Sequence, residues 1–122
     1  MGLSSELTEH LLHPRGVGDL EGEPPAGVGR GENIACGDVL VVWVRYGPGG
    51  LELTWRGQAC GAVLAVASLA AEALTGCSPA EVAAFDLAAH VEAAGGLERR
   101  SRHAVPVFER ALAEAMASRP EA

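Results

Sequence analysis

The 122 residues are 48% hydrophobic and 20% charged, with nine arginines, no lysine and a net charge of −7. That length suits one domain around a single modest core, and the composition excludes a disordered chain. The acidity argues against a phosphate-backbone partner, since nucleic-acid binding relies on clustered cations. In chain order, Ser4 and Ser5 can cap a short first helix in which Leu7 and Leu11 share a face. Pro14 ends that helix, because it cannot continue the hydrogen-bond ladder. Residues 16–26, with three glycines and two prolines, read as an irregular connection, and Gly27 to Asn33 as a weak edge strand.

Val39 to Tyr46 is β-branched and apolar on both faces, as a central or covered strand should be. Gly47 to Gly50 makes a four-residue turn, after which Leu51, Leu53 and Trp55 alternate with Glu52, Thr54 and Arg56. This is a β-hairpin with one solvated face. From Cys60 to Thr75 nearly every residue is Ala, Val or Leu, which makes a buried helix, and Gly76 stops it. Ser78-Pro79-Ala80-Glu81 is a capping box that starts another helix, and Asp86 caps a short one ending near Gly95-Gly96. A final helix runs from about Ala104 to Ala117, with Val105, Phe108, Leu112 and Met116 as its core stripe. Strands first and helices afterwards give an α+β domain: a small antiparallel three-stranded sheet with helices packed on one face. One domain spans 1–122, its core at about 5–117 and a tail at 118–122.

No stretch reaches the roughly 20 unbroken apolar residues that span a bilayer. The first thirteen residues include Glu6 and Glu9 and lack the basic start of a signal peptide. A cytoplasmic protein without a membrane partner is expected. Three cysteines, an odd number, favour thiol or metal chemistry over disulfides.

Cys36-Gly37-Asp38 precedes the hairpin, and its glycine lets thiolate and carboxylate bend toward one ion, although most such tripeptides are plain turns. Cys60 opens the buried helix, where unpaired N–H groups and the helix dipole favour thiolate. It can equally be a small apolar residue starting that helix. His103 stands just ahead of the final helix beside Arg99, Arg100 and Arg102, a setting shared by metal ligands and by solvated surface groups. Cys77 follows Cys60 by seventeen residues along one helix, a rise of about 25 Å. Ligands of one centre lie only about 4 Å apart, so Cys77 reads as structural. His10 and His13 read as surface groups. Gly27-Val28-Gly29-Arg30-Gly31 is not a dinucleotide fingerprint, for its spacing is wrong and no helix follows.

Three segments together resemble the iron–sulfur cluster scaffolds of the IscU/SufU/NifU N-terminal type. His10-Leu11-Leu12-His13-Pro14-Arg15-Gly16-Val17-Gly18 is similar to the family's H-Y-x-N-P-R-N-x-G, Cys36-Gly37-Asp38 matches C-G-D, and Trp55 to Cys60 is similar to F-x-G-x-G-C. The resemblance covers roughly residues 5–117 and implies an IscU-like fold and no enzymatic activity. It implies a scaffold or carrier for a labile [2Fe–2S] cluster, or for Fe or Zn, held through Cys36, Asp38, Cys60 and His103. A cysteine desulfurase and recipient apoproteins are the implied partners.

Aligned without gaps, His103 falls on the family's histidine and Ala104 on its third cysteine; a shift by one puts His103 on the cysteine. The L-P-P-V-K segment recognised by an Hsc-type chaperone is replaced by Leu-Glu-Arg-Arg-Ser at Leu97 to Ser101, which argues against that partner. The absent thiolate leaves a second expectation: a degenerate member that regulates a desulfurase or a true scaffold without its own cluster. A third, an enzyme using Cys60 as nucleophile, lacks a recognisable base.

Overall fold

In the structure, a computed structural model describing residues 2–120, the segment after Gly37 folds as a long hairpin of β2 (Asp38–Gly47) and β3 (Gly50–Gln58). Gly47 pairs with Gly50, which closes the expected four-residue turn around the two-residue loop Pro48-Gly49. Gly50, at φ 104°, takes a backbone conformation that side chains disfavour, and this lets the ladder run to its last pair. Strand β1 (Gly27–Asn33) pairs antiparallel with the other side of β2, giving the order β1-β2-β3 with β2 central. Leu40, Val42 and Val44 of β2 and Leu51, Leu53 and Trp55 of β3 are buried on one face.

Helices α2 (Gly61–Leu74) and α5 (Ala104–Ala117) cover that face, α1 (Ser5–Leu12) packs on α2, and the short α3 (Pro79–Ala84) and α4 (Leu87–Ala93) connect α2 to α5. Each predicted cap is in place: Ser4 Oγ accepts from the Leu7 N–H, Ser78 and Glu81 form the reciprocal box, and Asp86 Oδ1 accepts from the Ala89 N–H. Helix α2 is buried over most of its surface, as its near-continuous apolar sequence requires.

Two expectations need correction. The buried stripe of α5 is Ala104, Val107, Phe108, Ala111 and Ala115, while Val105, Leu112 and Met116 are only partly buried at its flank. The reason lies in β1. Its inward positions are Gly27, Gly29 and Gly31, and a Cβ on any of them would collide with α5 backbone at Ala115, Ala111 and Val107 respectively. A bare strand takes a helix face of small residues in direct backbone contact. His10, expected at the surface, is 3% exposed. Its Nδ1 lies 2.7 Å from Ser68 Oγ, and the same Oγ accepts the Arg15 N–H at 2.8 Å. The polar interruption in α2 thus anchors α1 and the Pro14 corner.

The 16–26 connection is laced to the sheet. The Trp55 N–H donates to Gly16 O and the Gly18 N–H to Trp55 O. Arg56 then pairs with Asp19, and Arg45 Nη1 donates to the carbonyls of Glu21 and Pro24. The segment therefore crosses the outer sheet face from the β3 edge to β1. Val39, Val41 and Trp43 on that face are left half-buried, so β2 is central but not fully covered.

Candidate metal centre

Four side chains from separate parts of the chain meet where β1 hands over to β2. After β1 the backbone makes one 3-10 turn, Ile34–Cys36, and Gly37 follows at φ 72°. This left-handed residue reverses the chain so that Cys36 stays at the surface while Asp38 turns inward as the first residue of β2. Asp38 is 1% exposed, which a carboxylate tolerates only with partners. It has two. Oδ1 accepts the Cys60 N–H at 2.8 Å, and Oδ2 lies 2.9 Å from His103 Nε2.

Cys60 is the N-cap residue of α2 and its own side chain makes no capping bond, so Asp38 serves as a remote cap beside the positive end of the helix. His103 is the N-cap residue of α5, and its ring reaches back over the β1–β2 junction. Nδ1 lies 3.2 Å from Arg100 O, which orients the ring and leaves Nε2 facing Asp38 and, at 3.6 Å, Cys60 Sγ. An orienting carbonyl behind a metal-binding imidazole is the usual outer-sphere arrangement.

Among the described residues, one donor atom each from Cys36, Asp38 and His103 lie within 4.8 Å of one another, the spacing of ligands around a single ion. Cys60 stands outside that trio but touches it through His103. Asp38 is the floor, His103 the wall, and both thiols are exposed at the mouth. Beside the mouth an open pocket of about 420 Å³ runs from His103 past Pro106 and Val107 to Arg110.

Cys77 is elsewhere: its Sγ sits 3.4 Å from Ala73 O beyond the far end of α2. His13 is exposed. Ala104, the first residue of α5, is fully buried. The Arg100 carbonyl could not be anticipated, because a backbone group leaves no mark on the sequence.

The chain matches the family of NifU-like N terminal domains over residues 3–121. It is 29% identical over 114 residues to iron-sulfur cluster assembly scaffold protein IscU 1 of Archaeoglobus fulgidus, covering 93% of this chain and 73% of that one. To the scaffold protein IscU of Azotobacter vinelandii it is 32% identical over 79 residues, 62% of each chain. Among solved structures, the NifU-like N-terminal protein of Brucella abortus superimposes with a TM-score of 0.72 at 18% identity, covering 94% of this chain and 92% of that chain. The putative SUF-system scaffold protein of Fervidobacterium islandicum gives 0.67 at 15% identity over 96% of each. No helix among the described residues is long and apolar enough to cross a membrane. The chain belongs to the IscU/NifU-like family, whose members are scaffold proteins rather than enzymes.

Proposed function

We propose that the protein is an iron–sulfur cluster assembly scaffold or carrier, whose cargo is a labile [2Fe–2S] cluster or an Fe or Zn ion held by Cys36, Asp38, Cys60 and His103. The observation that carries the reading is the meeting of Cys36, Asp38 and His103 within 4.8 Å of one another, with Cys60 Sγ 3.6 Å from the His103 ring. Two thiolates, a carboxylate and an imidazole suit tetrahedral Zn²⁺. They also suit a [2Fe–2S] cluster, since imidazole replaces thiolate in some such clusters. Exposed thiols above a buried carboxylate fit cargo that arrives and leaves, because the soft ligands stay within a partner's reach.

The scaffold names of the relatives support the same role. It implies a cysteine desulfurase as sulfur donor, apoproteins as recipients, and the reducing cytoplasm as the compartment. Anaerobic reconstitution with iron and sulfide tests it. A visible chromophore with bound iron is expected; neither chromophore nor metal would reject the reading.

One observation favours a second reading, a regulatory module that binds a desulfurase or a true scaffold without cargo. Ala104 stands, fully buried, where the resemblance places the third cysteine. Stable binding of a desulfurase by protein stripped of metal supports this reading, and its absence counts against it.

A further inference from the structure

We propose that the alternate glycines of β1, Gly31 above all, are positioning residues for the metal centre: they set how closely α5 approaches the sheet, and so where His103 meets Cys36 and Asp38. The inference rests on the ligand set proposed above.

A Cβ on Gly31 would meet the carbonyl oxygen of Val107, one on Gly29 that of Ala111, and one on Gly27 that of Ala115, each well under 3.0 Å. These obstacles are helix backbone, which cannot swing aside as a flexible side chain does. The three contacts form one series. Two strand residues rise about 6.6 Å and four helix residues about 6 Å, so each step along β1 meets the next turn of α5.

A second series, made by side chains, locks the same register. Ser118 Oγ accepts the Val28 N–H at 2.8 Å and donates to Val28 O at 3.0 Å. Glu114 Oε1 accepts the Arg30 N–H at 2.8 Å, and Arg110 Nη1 donates to Glu32 O at 3.2 Å. Residues 118, 114 and 110 are spaced by four, as are 115, 111 and 107. Together they fix α5 in height and in register while covering the open edge of β1.

His103 is the next step of the 115–111–107 series. It lies one turn before Val107, and its carbonyl accepts the Val107 N–H at 3.1 Å. Any side chain on Gly31 must lift the helix at Val107, and the His103 ring is lifted with it. A ring that now meets Asp38 Oδ2 at 2.9 Å would be withdrawn from the pocket. The glycine spacing thus serves neither a nucleotide nor a turn; it brings the imidazole to the thiols.

The test uses Co²⁺ as probe, titrated into wild type, Gly31→Ala, Gly29→Ala, Gly27→Ala, His103→Ala and the Gly31→Ala/His103→Ala pair. Affinity and the visible spectrum report on the ligands, and circular dichroism and thermal midpoints on the fold. Gly31→Ala should weaken Co²⁺ about 10-fold or more and shift the spectrum toward that of His103→Ala. The double variant should bind no more weakly than His103→Ala alone, because the two changes act through one ring. Gly27→Ala should lower thermal stability yet keep the wild-type spectrum, with Gly29→Ala between; should Gly31→Ala not fold, that gradient carries the test. Equal affinity across the three glycine variants, or a Gly31 penalty fully additive with His103→Ala, would overturn the positioning role. Wild-type binding by His103→Ala would instead strike the ligand set itself, and this inference with it.

Discussion

The two oxygens of Asp38 serve different neighbours, Oδ1 the Cys60 amide and Oδ2 the His103 ring. Two substitutions separate these tasks. Asp38→Asn keeps an acceptor for the Cys60 N–H and should leave stability near wild type. It removes the anionic donor and should weaken metal at least about 10-fold, the loss that even an outer partner can produce. Asp38→Ala should in addition lower the stability of the metal-free protein by about 0.5–2 kcal/mol, as the loss of an N-cap does. Denaturant melts of the stripped proteins check the difference. At the surface, a hydrogen bond from Arg15 holds the Glu9 carboxyl below its ordinary range; it outweighs the desolvation that pushes the other way, and that guanidinium's charge adds a smaller lowering. Its folded-state pKa is depressed, so the ion pair contributes above the unfolded-state pKa and is lost as pH falls through the folded one. An NMR titration should show the Glu9 carboxyl rising toward its ordinary value in Arg15→Ala.

Between elements, the contact of α1 with α2 turns on Ser68, whose hydroxyl meets both His10 Nδ1 and the Arg15 N–H. Ser68→Ala leaves a buried imidazole nitrogen and a backbone donor without this partner. It should cost about 1–3 kcal/mol in a thermal or denaturant melt. The partnership is not legible in the sequence, because 58 positions separate the two side chains and a histidine on a short amphipathic helix looks solvated. Helix starts are legible, since Ser4, Ser78 and Asp86 carry their capping chemistry locally. So are the hairpin strands, β2 through its β-branched apolar run and β3 through its alternation, both of them local signals. The rotation of α5 is not: its sequence supports two adjacent stripes, and the choice between them depends on β1 presenting no side chains. The donor residues could be picked out by type and motif. Their convergence needed the backbone reversal at Gly37 and the approach of α5 to β1, both of them tertiary facts.

For the whole molecule, metal should act as a staple between segments distant in sequence. Cargo that binds only the folded chain stabilises it by about 2.7 kcal/mol at 100 times the dissociation constant. A chelator should return the melting temperature to that of the stripped protein. Metal ligands bind in their deprotonated form, so the stabilisation should shrink as pH is lowered. The central claim is that one pocket, built from the Cys36–Asp38 turn, the start of α2 and the start of α5, holds the cargo. Total metal per chain, measured anaerobically in wild type, Cys36→Ser, Cys60→Ser and His103→Ala, tests it most directly. The account predicts bound metal in wild type and its loss in all three variants; equal metal in all four proteins would contradict it.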